Sequence, residues 1–173
     1  PTEGEVFVDG LDTRRARVSA LSRSVGFLFQ NPDRQLCRTT VREELLFGLR
    51  LHVRDEAEAA RRLERALADF ALDPEENPLT AARAERQRIA LASVVALGPR
   101  LLVLDELIDA CSGFLPLEEV TSFLDGRPAG LEVVITGHSL PKALAERADY
   151  ISHVVKEKHP YDRGVMARPD IEF

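Results

Sequence analysis

Four apolar residues, Leu101-Leu102-Val103-Leu104, run straight into two carboxylates, Asp105-Glu106. Side chains alternate between the faces of a strand, so an apolar run without alternation predicts a strand covered on both faces, as in a parallel sheet. Parallel neighbours need crossover connections, usually helical, and this hexapeptide therefore restricts the chain to an α/β architecture. Its surroundings agree. Residues 24–30 read as a second strand broken by Asn31-Pro32-Asp33, and residues 131–136 as a third that ends at Gly137-His138. Residues 150–155 are expected to form a last strand. Near the start, Glu5-Val6-Phe7-Val8 alternates into Asp9-Gly10, the mark of a short strand and turn.

Helical patterns fill the intervals. Thr40 is expected to cap a helix beginning at Val41, with Glu43 and Glu44 favourable in its first turn. Residues 55–72 form an amphipathic pattern. Leu63, Leu67 and Phe70 fall on one stripe, and Glu58 and Arg62 stand four apart on the other face. Pro74 and Pro78 bracket a loop, after which Thr80 is expected to cap a helix over 81–97, stopped by Gly98-Pro99. Shorter helices are expected over 117–124 and 141–147. Hydrophobic residues make up 45% of the 173 positions, enough for the core of one domain and against wholesale disorder.

Several function classes drop out. The longest apolar run, 89–97, is about half of what a bilayer span needs. A net charge of −6 argues against a general nucleic-acid binder, so no nucleic-acid partner is expected. Cys37 and Cys111 form no CxxC pair and the four histidines are scattered, so free thiols are expected rather than a structural zinc site. The chain begins with Pro1 and without a basic-then-apolar leader. A processed or truncated start and a cytoplasmic location are the expectation.

The chemistry concentrates at residues 101–106. A buried strand that delivers two carboxylates at its C-terminal end is how α/β nucleotide enzymes hold a magnesium ion. On that reading Asp105 binds Mg²⁺, directly or through water, and Glu106 orients or deprotonates an attacking water. The plainer alternative is a strand that ends in an acidic turn.

Residues 1 to about 106 resemble the ATP-binding cassette (ABC) ATPases, above all those of cobalt and energy-coupling-factor importers. The resemblance rests on Phe29-Gln30-Asn31-Pro32-Asp33-Arg34-Gln35-Leu36, which looks like the family's Q-loop, and on Thr40-Val41-Arg42-Glu43-Glu44-Leu45-Leu46-Phe47-Gly48 after it. It continues in Glu85-Arg86-Gln87-Arg88-Ile89-Ala90-Leu91-Ala92 and in the acidic strand. It implies that Gln30 senses the metal and the γ-phosphate, and that His138 is a switch histidine contacting that phosphate. The plain reading of His138 is a polar loop residue. The resemblance also implies ATP and Mg²⁺ as cofactors, and a membrane-embedded transporter subunit or a second ATPase subunit as partners. The protein would then sit at the inner face of the cell membrane. Two departures stand out. No G-x-x-x-x-G-K-[ST] phosphate loop occurs in the chain, and Ala81-Ala82-Arg83-Ala84 stands where the family has Leu-Ser-Gly-Gly.

From about residue 102 to 173 the sequence resembles the corrinoid adenosyltransferases. Leu104-Asp105-Glu106-Leu107, Gly113-Phe114-Leu115-Pro116-Leu117-Glu118-Glu119-Val120, Val133-Val134-Ile135-Thr136-Gly137 and the tail Lys158-His159-Pro160-Tyr161-Asp162-Arg163-Gly164 carry the match. That family usually has Arg where His138 stands. The resemblance implies a corrinoid ligand, with Lys158, His159 and Asp162 as cofactor-binding residues. Their plain reading is a solvated tail.

The expected fold is a P-loop NTPase-like three-layer α/β fold with a mainly parallel sheet, lacking the phosphate-loop strand and helix. The expected organisation is one incomplete nucleotide-binding domain over 1–173. Its ABC-like part spans 1–106, including helical segment 40–97, and its adenosyltransferase-like part spans 107–173. Three functions follow: an ATP-binding importer subunit in truncated or hybrid form, an adenosyltransferase-like protein, and a catalytically inactive module of the same fold. Without a phosphate-loop strand beside it, the acidic strand is expected to lose a neighbour, which predicts marginal stability or self-association.

Overall fold

A computed structural model describes residues 3–111, 115–158 and 163–164. The chain divides into two compact units, Pro1–Pro141 and Lys142–Phe173. The first opens with a hairpin of β1 (Phe7–Val8) and β2 (Leu11–Asp12). Asp9 and Gly10 form its turn with φ of 50° and 75°. Positive φ at both central positions matches the right-handed twist of the strands, which explains why Asp-Gly sits there.

Three four-residue strands, β3 (Val25–Leu28), β4 (Leu101–Leu104) and β5 (Glu132–Ile135), form a parallel sheet in the order β3-β4-β5. The registers run Val25–Leu101–Glu132 at one end and Leu28–Leu104–Ile135 at the other. Residues at one register level share a face. Leu28, Leu102 and Leu104 are at most 1% exposed, whereas Phe27 and Val134 on the opposite face are 40% and 45% exposed. The apolar run of β4 therefore alternates between a buried and a half-buried face, where cover on both faces was expected. A second expectation is corrected here too. The acidic strand keeps two neighbours, and among the described residues the free edges belong to β3 and β5.

The packed face is covered by helices. The helices of this unit are α1 (Val18–Leu21), α2 (Val41–His52), α3 (Glu56–Asp69), α4 (Arg83–Val95), α5 (Leu107–Cys111) and α6 (Leu117–Gly126). Of these, α4 lies against β3 so closely that a Cβ on Gly26 would run into the Val94 side chain. Helices α2, α3 and α4 pack on one another through Val41, Leu45 and Leu49, through Leu63, Ala66 and Leu67, and through Ile89 and Ala90, each at most 7% exposed. The spacing of three to four puts each set on one helical face, and each buried Leu or Ile contributes roughly 1.5–3 kcal/mol. Phe70 follows the last turn of α3 and is half-buried.

Local signals fix the starts of α2 and α3. The Thr40 hydroxyl accepts the Glu43 N–H at 3.2 Å, and Asp55 accepts the Ala57 N–H at 2.9 Å. Helix α4 instead begins at Arg83 with no side-chain cap, because Thr80 belongs to the preceding turn. Its hydroxyl donates to the Asn77 carbonyl at 3.3 Å, and Asn77 Oδ1 accepts the Leu79 N–H. The buried carboxylate of Glu44 accepts the N–H groups of Cys37 and Arg38, both at 2.8 Å, tying the loop after β3 to α2. A buried charge of this kind is retained only with such partners.

The second unit contains α7 (Lys142–Ala145). The expected strand at 150–155 does not form: these residues pair with no strand among the described residues, and Tyr150 and Val154 are 94% and 89% exposed. Strand propensity alone does not hold a strand whose backbone groups lack a partner.

Candidate functional site

The three strands of the sheet are equal in length and in register, so the residues that follow them emerge along one edge. In parallel α/β sheets this carboxyl edge is where ligands bind. The ladder extends one step past the strands, with the Asp105 N–H donating to Leu28 O and the Thr136 N–H to Leu104 O, both at 3.1 Å. At the same level the Thr136 hydroxyl donates to Asp105 Oδ1 at 2.9 Å and accepts the Glu106 N–H at 2.8 Å. Gln30 Nε2 donates to Glu106 Oε2. Gln30, Asp105 and Glu106, singled out from the sequence, thus form one connected site.

Glu106 takes a left-handed conformation, φ 51°, that turns the chain from β4 into α5. Such a conformation costs a non-glycine residue roughly 1–2 kcal/mol. Gly137, with φ 153°, lies so close to α5 that a Cβ would meet Ile108 and come within 3.0 Å of Asp109 Oδ2. That closeness brings Asp109 to His138, whose backbone N–H donates to Asp109 Oδ2 at 3.3 Å and whose Nδ1 lies 3.2 Å from the same oxygen. A shallow cavity of about 150 Å³ is lined by Gln30, Asp105, Glu106 and Asp109, with Arg83 and Gln87 from α4. Gln87 is 7% exposed and its Oε1 has no hydrogen-bond partner among the described residues.

His138 is absent from that lining. It stands beside the cavity through Asp109, with its side chain 81% exposed. Lys158 is exposed in the second unit, and His159 and Asp162 lie outside the described residues. Four residues of the site escape a reading of the sequence alone: Thr136, Asp109, Arg83 and Gln87. For Thr136 a signal exists, because Glu132-Val133-Val134-Ile135 and Leu101-Leu102-Val103-Leu104 have equal length, and parallel in-register pairing puts the next residues, Thr136 and Asp105, side by side. The arrangement can hold a polar ligand between carboxylates and amides. Among the described residues no three His, Cys, Asp or Glu side chains converge as a metal cage. That donor set fits Mg²⁺, which is usually held by one or two carboxylates and completed by substrate phosphates.

The sheet, its carboxyl-edge acids and its helical cover define the class: a P-loop-type α/β domain built like the ABC ATPases. CbiO1 of Clostridium perfringens, part of the ABC transporter complex CbiONQ, superposes with a TM-score of 0.67 at 25% identity, over 80% of this chain and 57% of its own. Within that class, the chain belongs to the ATP:corrinoid adenosyltransferase family BtuR/CobO/CobP, whose model matches residues 47–173. Its sequence relatives include the energy-coupling factor transporter ATP-binding protein EcfA of Methanoculleus marisnigri, 36% identical over 181 residues, covering 99% of this chain and 64% of the relative. EcfA2 of Symbiobacterium thermophilum is 36% identical over 159 residues, covering 87% of this chain and 54% of the relative. The chain therefore spans less than two thirds of each of these proteins. The double resemblance expected from the sequence is what the comparisons find, and the two matches overlap from residue 47 onward.

Proposed function

We propose that this chain is the ATP-binding part of an energy-coupling-factor importer for cobalt or a vitamin. One observation carries the reading: Gln30, Asp105 and Glu106 meet at the carboxyl edge of the sheet, hydrogen-bonded through Gln30 to Glu106 and through Thr136 to Asp105. The kinship with EcfA over 99% of the chain supports it. Asp105 is the residue that would hold Mg²⁺, which when bound neutralises phosphate charge. Thr136 fixes the Asp105 carboxylate. Glu106 orients the attacking water and takes its proton, with its own position held by Gln30. His138 stands next to the cavity to meet the γ-phosphate. A second ATPase subunit and a membrane-embedded subunit are the proposed partners. No described helix is long and apolar enough to cross a membrane, so attachment to the inner membrane face would run through that partner.

With no glycine-rich phosphate loop in the chain and Arg83 beside the cavity, affinity for nucleotide is expected to be low. Isothermal titration with Mg-ATP tests this. The expected result is saturable binding weaker than about 100 μM, near −5.5 kcal/mol, lost in Asp105→Asn and kept in Glu106→Gln. No heat at millimolar nucleotide from a folded sample would overturn the reading. The family match over 47–173 favours a second reading, an adenosyltransferase-like protein that binds a corrinoid with help from Lys158, His159 and Asp162. Saturable binding of cobalamin that Lys158→Ala weakens would select it.

A further inference from the structure

The acids of the cavity are absorbed by the proposed nucleotide site, but one contact is not: the carboxylate of Asp109 against His138. Two bonds converge there. Asp109 Oδ2 accepts the backbone N–H of His138 at 3.3 Å, and the ring Nδ1 lies 3.2 Å and 3.3 Å from the two carboxylate oxygens. The corner that brings them together is built. The Ile108 N–H donates to the Thr136 carbonyl at 3.3 Å, which docks the first turn of α5 on the end of β5. Gly137 supplies the close approach that any side chain would block.

A carboxylate only accepts hydrogen bonds, so the proton must sit on Nδ1. In the neutral ring the lone pair is then on Nε2, at the far end of an imidazole whose side chain is 81% exposed. Protonation of Nε2 adds a charge without moving the Nδ1–H bond. The ring keeps one orientation in both states, and Nε2 is the nitrogen that acts. We propose that Asp109 is the positioning residue of His138, fixing the Nδ1–H tautomer and presenting Nε2 to the substrate. The consequence for chemistry rests on the nucleotide reading above; the tautomer does not.

Long-range proton–nitrogen correlation on the full chain carrying ¹⁵N-histidine tests the proposal, at a pH well above the usual histidine range (~6.5) so that the rings are neutral. His138 is assigned by the signal lost in His138→Gln, a change at an exposed side chain. Two other histidines calibrate the spectrum. His52 Nδ1 lies 2.9 Å from the Gly48 carbonyl, which requires Nδ1–H, and His153 is exposed. The expected result is an Nδ1–H pattern at His138 like that of His52. Asp109→Ala should lose it in favour of the Nε2–H form, leaving His52 unchanged, and Asp109→Asn, which keeps an acceptor oxygen, should restore it. An Nε2–H pattern in the unaltered chain overturns the proposal, even if Asp109→Ala fails to fold. A tautomer that Asp109→Ala leaves in place overturns it as well. A failed Mg-ATP titration beside the expected tautomer would remove the nucleotide reading alone.

Discussion

The two faces of the three-stranded sheet are made of similar residues and meet different fates. Gly26, Leu28, Leu102 and Leu104 face helices and are sealed, whereas Phe27, Val103 and Val134, one position away on the same strands, look outward, with Phe27 and Val134 two-fifths or more exposed. Phe29 extends the open face, its ring 4.9 Å from that of Phe27. Apolar character therefore says that a strand is to be covered, while only the packing says by what. The open face is the surface on which self-association is expected.

Substitutions can break this contrast. Leu102→Ala should cost about 3 kcal/mol, since it opens a cavity beneath α4. It should appear as a lower urea midpoint at unchanged slope. A loss under about 1 kcal/mol would mean that the packed face is loosely filled. Gly26→Ala should cost about 2 kcal/mol by overpacking against Val94 and Pro99. At the strand ends, between the two faces, Thr136→Val should cost about 1 kcal/mol by leaving Asp105 and the Glu106 N–H unpaired, and should weaken Mg-ATP binding. On the open face Phe27→Ser should move the midpoint by less than about 0.5 kcal/mol while reducing any self-association seen in sedimentation. An equal loss from Leu102→Ala and Phe27→Ala would erase the comparison.

The smallest expected effect concerns the helical layer in acid. The guanidinium of Arg62, with help from Arg61, holds the Glu58 carboxyl below the ordinary glutamate range. Arg62 also donates to the Leu97 carbonyl at 2.9 Å, so this pair ties α3 to the end of α4. A carboxyl whose pKa is lowered on folding adds stability above its unfolded value, about 4.3, and loses it as pH falls through the lowered value. Glu58→Gln should therefore lower stability slightly at neutral pH and leave it unchanged in strong acid, so that the acid limb of a stability–pH curve flattens; the effect is small because the pair is partly exposed.

Which parts of this were readable from the sequence follows from how far each signal reaches. Thr40 acts within one turn and caps as expected, and Asp55, read only as the start of a helical pattern, caps in the same way. Leu63 and Leu67 act within one helix face and are buried as expected. Asp105 and Glu106 were legible because they end a strand-like apolar run, and Gln30 only through the resemblance of residues 29–36 to a Q-loop. Thr80 misleads because Asn77, three residues earlier, competes for it. Residues 150–155 mislead because propensity names a strand without naming its partner. Asp109 and His138 are 29 residues apart, and their contact exists only through the docking of α5 on β5. No local pattern encodes that.

The left-handed turn at Glu106 carries one further consequence. Glycine adopts φ 51° without the penalty a side chain meets there. Glu106→Gly would thus relax the backbone at the moment it deletes the carboxylate. Two quantities that substitutions in a protein interior usually lower together would part here, with folding gaining by up to about 1 kcal/mol as the proposed chemistry disappears. A sequence released from the demand for an acid at this turn has a downhill path to losing it.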